Sequence, residues 1–86
     1  MKIVKFSRTV CGPCNVLNMM LNQMGVEVDE SRLLDTDEAL KEAEKEFGVM
    51  STPTTILYDD EGNELERVTG INPPLINGLF EKAGKL

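Results

Sequence analysis

The sequence predicts an α/β protein with the element order β-α-β-α-β-β-α, in which a mixed four-stranded sheet carries helices on both faces. Three observations lead to this class. Short runs of β-forming residues alternate with longer segments whose apolar residues recur at helical spacing. Helical connections between the first strands favour parallel pairing, whereas a tight turn joins the last two strands as a hairpin. The length of 86 residues predicts one compact domain over residues 1–86.

The first strand and the first helix are predicted on either side of a loop. Residues 3–6 form an apolar run typical of a buried strand, and residues 7–10 form the loop. A helix is expected over residues 12–24, with Gly25 as its C-terminal cap. Its apolar residues recur at steps of three and four positions: Cys14, Leu17, Leu21 and Met24. The methionines of this segment are interpreted as core packing rather than as a binding surface: Met19, Met20 and Met24.

The second strand and the second helix have less even signals. A strand is predicted within residues 27–34, although apolar residues at both ends of that segment compete for its centre. Asp35 or Thr36 is expected to cap the helix that follows, and Gly48 to end it. The apolar stripe of this helix lies between acidic residues and lysines: Leu40, Ala43 and Phe47.

The second half of the chain predicts a hairpin and a last helix. Residues 54–58 are rich in β-forming residues, residues 59–63 form a turn, and residues 64–69 form an edge strand. Asn72-Pro73 combines a cap with a proline that the first helical turn favours. The apolar residues expected on the inner face of this helix follow: Leu75, Ile76, Leu79, Phe80 and Ala83.

Composition excludes several classes of function. Fifteen acidic and nine basic residues give a net charge of −6, which disfavours nucleic acid as a partner. Apolar runs end after about four residues, whereas a membrane span needs roughly twenty, so we expect no membrane segment. The apolar part of residues 1–6 is too short for a secretion signal, which favours a reducing, cytoplasmic setting. Histidine is absent, and with it the commonest nitrogen ligand of metals.

Both cysteines of the chain lie in the motif Cys11-Gly12-Pro13-Cys14, where a strand leads into a helix. Side chains three residues apart on a helix lie about 5–6 Å apart at Cβ, so a small adjustment closes a disulfide. Cys11 would lie at the helix N-terminus, where unpaired backbone N–H groups and the macrodipole favour a thiolate. Cys14 lies on the apolar stripe and should be shielded. The predicted roles are attack by Cys11 and resolution by Cys14.

Two other interpretations of the cysteine pair remain. A purely structural disulfide is disfavoured, because so short a loop removes little chain entropy and the compartment is predicted to be reducing. The same spacing also occurs in zinc and iron–sulfur sites. Zinc normally takes four ligands, so two sulfurs in a chain without histidine would require a dimer that shares the metal.

The chain resembles the thioredoxin superfamily over nearly its whole length. Cys11-Gly12-Pro13-Cys14 is the thioredoxin form of the motif, and Ser51-Thr52-Pro53-Thr54 is similar to the family's cis-proline loop. The resemblance implies a thioredoxin-like fold in which Pro53 is cis and faces the cysteines. Thr52 would offer its backbone N–H and C=O to an extended substrate peptide, and Gly70 matches the glycine that lets a partner backbone approach.

Other features resemble the smaller relatives. The chain begins one strand before the motif, without the additional strand and helix of full-length thioredoxins, and residues 6–11 resemble the lead-in of glutaredoxins. However, the motif lacks the aromatic residue common in glutaredoxins, and residues 70–72 lack the paired glycine of a glutathione site. We therefore expect a thioredoxin-like activity on a glutaredoxin-sized frame.

Two positions depart from the thioredoxin pattern. Val10 replaces the tryptophan that usually precedes the first cysteine, which puts the usual mode of substrate and reductase docking in question. Lys5 occupies the position of a buried carboxylate. If Lys5 points inward, it could stabilise a Cys14 thiolate or take its proton, because burial would lower its pKa. If it points outward, which we favour, it is an ordinary surface lysine.

The resemblance implies a monomeric protein-disulfide reductase that needs no cofactor of its own. Electrons would come from a flavin-containing thioredoxin reductase that uses NADPH. They would pass to disulfide-bearing proteins, of which ribonucleotide reductase is one candidate. A glutathione-dependent glutaredoxin is the enzymatic alternative. A metal-bridged dimer or a redox-insensitive adaptor is the non-enzymatic one.

Overall fold

The helices and strands follow the predicted order in a computed structural model that describes residues 1–86. They are β1 (Lys2–Ser7), α1 (Gly12–Met24), β2 (Glu30–Leu33), α2 (Asp37–Phe47), β3 (Thr54–Tyr58), β4 (Glu64–Thr69) and α3 (Pro73–Lys82). The four strands form one sheet in the order β2-β1-β3-β4. β1 is parallel to β2 and antiparallel to β3, which pairs antiparallel with β4. The predicted mixed sheet is confirmed. None of the helices is long and apolar enough to cross a membrane.

Local capping explains where the helices begin and end. Each helix has an N-cap side chain that accepts a hydrogen bond from the backbone N–H three residues later: Cys11, Thr36 and Asn72. For α2 the cap is therefore Thr36 and not Asp35. Gly25 and Gly48 end α1 and α2 with φ values of 71° and 65°, the left-handed conformation that favours glycine. The predicted glycine caps are confirmed.

The strand β2 shows where the apolar pattern misleads. Its centre lies at neither of the two apolar ends of residues 27–34, and most of its side chains are exposed. Asp29 accounts for its position: its N–H donates to the Ile3 carbonyl oxygen at 2.9 Å, and its carboxylate accepts from the Ile3 N–H at 2.7 Å. This tertiary contact aligns the following residues with β1. Val26 and Leu34 flank the strand and are buried.

The sheet separates two apolar clusters. The larger cluster lies between the sheet and the pair α1 and α3: Ile3, Leu17, Leu21, Val26, Leu57, Val68, Ile76, Leu79 and Phe80. The smaller cluster lies under α2: Val4, Phe6, Leu34, Ala43, Val49 and Ile56. Alternate residues of β1 thus contribute to opposite faces, as expected for a strand covered on both sides. Helices on both faces are confirmed.

Two residues that the periodicity assigned to the core lie outside it. Leu75, in the first turn of α3, is 47% exposed, whereas Ile76, Leu79 and Phe80 of the same helix are buried. Met19 is 64% exposed on α1. Met20 and Met24, in contrast, pack against the larger cluster as predicted.

Candidate active site

The N-terminus of α1 is built around the first cysteine. Cys11 is the N-cap residue and has extended backbone geometry, with φ −157° and ψ 107°. The Cys14 backbone N–H donates to the Cys11 sulfur at 3.2 Å, and the Asn15 N–H donates to the Cys11 carbonyl oxygen at 3.1 Å. A free helical N–H group and the positive end of the macrodipole therefore point at this sulfur. Both favour a negatively charged thiolate over a neutral thiol.

The two cysteines differ in accessibility. They are joined as a disulfide, and their Cα atoms lie 5.2 Å apart. Cys14 is only 1% exposed, whereas Cys11 is half-buried and is followed by the exposed Gly12 and Pro13. A partner can therefore approach the Cys11 sulfur, whereas Cys14 is shielded from partners and can react only with the adjacent Cys11 sulfur. This asymmetry suits one attacking and one resolving thiol.

The loop before β3 lies against Cys11. The Thr52–Pro53 peptide bond is cis, and Pro53 is buried. The Cys11 sulfur lies 3.6 Å from the Thr52 hydroxyl oxygen and 4.0 Å from the Thr52 carbonyl oxygen. The Thr54 hydroxyl donates to the Ser51 carbonyl oxygen at 2.8 Å and holds the loop from its other side. Polar atoms of Thr52 thus adjoin the sulfur that a partner must reach.

Gly70 and Val10 complete the surroundings of the cysteine pair. The Gly70 N–H donates to the Pro53 carbonyl oxygen at 2.8 Å, which joins the two loops. Gly70 has φ 78°, and a Cβ there would meet no atom within 4 Å, so this backbone lies open to a partner. Val10 is 94% exposed beside Cys11. The fold therefore brings Thr52, Pro53 and Gly70 together, with Val10 at their edge.

Lys5 is neither fully buried nor an ordinary surface lysine. It is half-buried on β1, and its amino group donates to the Asn18 side-chain oxygen at 2.5 Å. Asn18 lies one helical turn after Cys14 on α1. Burial lowers the pKa of the Lys5 amino group below its ordinary value. Lys5 thus faces the helix that carries the cysteines, and it forms no salt bridge.

Sequence reasoning missed two residues near this site. Asp35 does not cap α2 but holds the loop before Cys11, since its carboxylate accepts from the Thr9 N–H at 2.9 Å and from the Thr9 hydroxyl at 2.6 Å. These bonds lower the pKa of Asp35. Thr55 pairs with Lys5 across the sheet and is 1% exposed, and its hydroxyl has no hydrogen-bond partner. Only the strand register reveals this pairing.

The fold and the site define a class of protein. Its members carry a redox-active cysteine pair at a helix N-terminus, beside a sheet of thioredoxin type. The sequence model of the thioredoxin-like domain matches residues 2–83. The chain belongs to the thioredoxin-like family.

Individual relatives agree with this assignment. The SPbeta prophage-derived thioredoxin-like protein YosR of Bacillus subtilis is 30% identical over 82 residues, which cover 95% of this chain and 98% of that protein. A thioredoxin of Chlamydia muridarum is 37% identical over 70 residues, which cover 80% of this chain and 68% of that protein. Among solved structures, a Nicotiana alata thioredoxin matches with a TM-score of 0.68 and 30% identity, over 93% of this chain and 70% of that one.

Proposed function

We propose that this protein reduces the disulfides of other proteins by dithiol exchange, with Cys11 as nucleophile and Cys14 as resolving thiol. The observation that carries the proposal is the unequal placement of the two sulfurs. The Cys11 sulfur accepts a hydrogen bond from the Cys14 N–H at the N-terminus of α1, whereas Cys14 itself is buried. The names of relatives such as the Chlamydia muridarum thioredoxin support the same class of reaction.

The reaction consists of two exchanges. The Cys11 thiolate attacks one sulfur of the substrate disulfide, and the other substrate sulfur leaves as a thiolate and takes a proton from solvent. The Cys14 thiol then loses its proton and attacks the Cys11 sulfur, which releases the second substrate thiol. Two electrons have then passed to the substrate, and Cys11 and Cys14 are joined as a disulfide. No cofactor takes part in either step.

The loops beside Cys11 supply the substrate contacts in this proposal. Thr52 offers backbone groups to an extended segment, which would add to the loop as a strand adds to a sheet edge. Gly70 leaves room for the backbone of that segment because it has no side chain. Pro53 holds Thr52 in place, and the exposed Val10 adds an apolar contact.

Lys5 enters the proposal as a positioning residue for Cys14. The resolving thiol must lose a proton in a buried place, and the chain has no histidine to assist it. The Lys5 amino group bonds to Asn18, one turn from Cys14 on the same helix. A positive charge on this side of α1 would favour the Cys14 thiolate, and partial burial reduces the screening of that charge by salt.

The electron donor we propose is a flavin-containing thioredoxin reductase that uses NADPH, in a reducing cytoplasm. The protein would act as a monomer, and its targets would be protein disulfides, with ribonucleotide reductase as one candidate. Because Val10 replaces the usual tryptophan beside Cys11, we expect this chain to discriminate among reductases.

Insulin reduction tests the proposal. Dithiothreitol drives one reaction, NADPH with thioredoxin reductase a second, and NADPH with glutathione and glutathione reductase a third. We expect turnover in the first two, lost in Cys11→Ser, and a stable mixed disulfide with Cys14→Ser that mass spectrometry detects. Turnover that depends on glutathione alone would instead make the protein a glutaredoxin. No acceleration even with dithiothreitol would refute a reductase role, and bound zinc in the purified protein would then support the bridged dimer.

A further inference from the structure

The segments that surround the cysteine pair contain no charged residues. The chain has 9 basic and 15 acidic residues, yet none of them lies in residues 9–26, 47–58 or 68–80. These three segments carry the cysteine pair, the loop of Thr52 and Pro53, and Gly70. The contacts between Cys11, Thr52, Pro53 and Gly70 bring the three segments together. In an otherwise acidic protein, the three segments around the cysteines therefore carry no charge of their own, and Asp35 borders them where it bonds to Thr9.

The solvent-facing side of α1 extends this uncharged surface. Gly12, Val16, Met19 and Gln23 follow one another at helical spacing on the side opposite the core, and we call them the α1 stripe. Val16 is 51% and Met19 64% exposed. A solvent-facing helix surface normally carries charged residues, but α1 has none. An exposed apolar surface of this kind is typical of a protein contact.

The α1 stripe is continuous with the reactive sulfur. It begins at Gly12, directly after Cys11, and runs for about 16 Å along the helix at 1.5 Å per residue. Val10, directly before Cys11, is 94% exposed, and Met50, two residues before Thr52, is 80% exposed. A folded protein that brings a disulfide to the Cys11 sulfur comes within reach of this surface. An extended peptide at Thr52 would leave the far part of the stripe uncovered.

We propose that the α1 stripe is a docking surface for folded proteins that exchange disulfides with Cys11 and that present an apolar, uncharged surface beside their own cysteines. A charged partner surface would lose its hydration against the stripe without gaining an ion pair, which is unfavourable. Asp35, which bonds to Thr9, borders this surface and would repel acidic partners. This inference rests on the proposed reductase function and identifies which partners that function serves.

The test compares a folded disulfide with a small one. Insulin is the folded probe and dithiodipyridine the small, uncharged probe, with dithiothreitol as the reductant for insulin. The variant Val16→Gln/Met19→Gln removes the apolar contacts without adding charge, and Leu65→Gln is the control, since Leu65 is similarly exposed at the far end of β4. We expect kcat/KM for insulin to fall about fivefold to tenfold in the double variant, mainly through KM. The rate with dithiodipyridine should not change.

A second comparison tests the absence of charge. Met19→Glu and Met19→Lys should lower kcat/KM for insulin alike, and the wild-type value should vary little between low and high salt. The docking proposal is overturned if the double variant stays within twofold of Leu65→Gln, or if the two charge variants act in opposite directions. If the wild-type protein reduces neither probe, the reductase function itself has failed. If it reduces both while the variants match the control, only the docking surface is wrong.

Discussion

Helices α1 and α2 lie on opposite faces of one sheet and differ sharply in charge. Most of the 11 residues of α2 are charged, with Asp37 and Glu38 in its first turn and Lys45 in its last, an arrangement that complements the helix macrodipole. α1 has 13 residues and no charged side chain in either terminal turn. The positive end of its macrodipole is therefore left to Cys11. The absence of charge on α1 therefore serves the chemistry of Cys11 as well as the proposed contact surface.

The largest expected effect separates the two sides of α1. Leu17 is fully buried between α1 and the sheet, whereas its neighbour Val16 faces solvent. Leu17→Ala should lower the free energy of unfolding by about 3 kcal/mol, because it leaves a cavity in the larger cluster. Val16→Ala should change it by less than about 0.5 kcal/mol. Urea denaturation measures both, and equal losses would mean that Val16 also belongs to the core.

A second effect concerns a lysine on each side of the sheet. Lys5 bonds to Asn18 of α1, whereas Lys41 is exposed on α2. Lys5→Met should slow the resolution of a mixed disulfide about tenfold at neutral pH, which corresponds to about 1.4 kcal/mol in the activation free energy. The pH profile of this step should also move to higher pH. The stopped-flow release of a fluorescent thiol measures it, with Lys41→Met as control.

The charge state of the Lys5 amino group determines at which pH Lys5 assists the resolution step. Burial lowers the pKa of the Lys5 amino group, so the amine loses its charge at a lower pH than a free lysine, and its help to the Cys14 thiolate fades above that pH. Lys5→Arg should restore the rate if the positive charge is what matters, because arginine stays protonated. An unchanged pH profile in Lys5→Met would show that Lys5 only holds Asn18.

A third effect compares two neighbouring threonines of β3. Both are buried, but the Thr54 hydroxyl donates to Ser51, whereas the Thr55 hydroxyl has no partner. Thr55→Val should raise the free energy of unfolding of the oxidised protein by about 1 kcal/mol, and Thr54→Val should lower it by about as much. Thermal unfolding measures both. A loss of stability in Thr55→Val would show that its hydroxyl is bonded after all.

These residues also show how far the sequence predicts the molecule. Glycine caps, the Asn72-Pro73 start of α3 and the hairpin are local signals, and the structure agrees with each of them. The strand β2 lies within the predicted residues 27–34, but the apolar pattern left its centre open because a tertiary bond between Asp29 and Ile3 sets it. The cysteine motif was visible as a sequence pattern. The bond of Lys5 to Asn18 and its pairing with Thr55 depend on packing and strand register, which no local pattern encodes.

The smallest expected effect comes from a substitution that gives the first turn of α1 an acidic residue, as the first turn of α2 has. Asn15→Glu places an acidic residue near the start of α1, where α2 has Asp37 and Glu38. The new charge competes with the Cys11 thiolate for the positive helix end and should destabilise that thiolate by about 0.3–1 kcal/mol. The reaction of the reduced protein with iodoacetamide at neutral pH should slow about twofold to fivefold.

Two variants isolate the electrostatic part of that effect. Asn15→Gln changes the side chain without charge and should leave the alkylation rate as it is. Asn22→Glu adds the same charge at the opposite end of α1, where the macrodipole acts little on Cys11. If all three variants slow the reaction alike, access to the sulfur and not the helix field controls it. If only Asn15→Glu does so, the charge-free first turn of α1 is part of what makes Cys11 reactive.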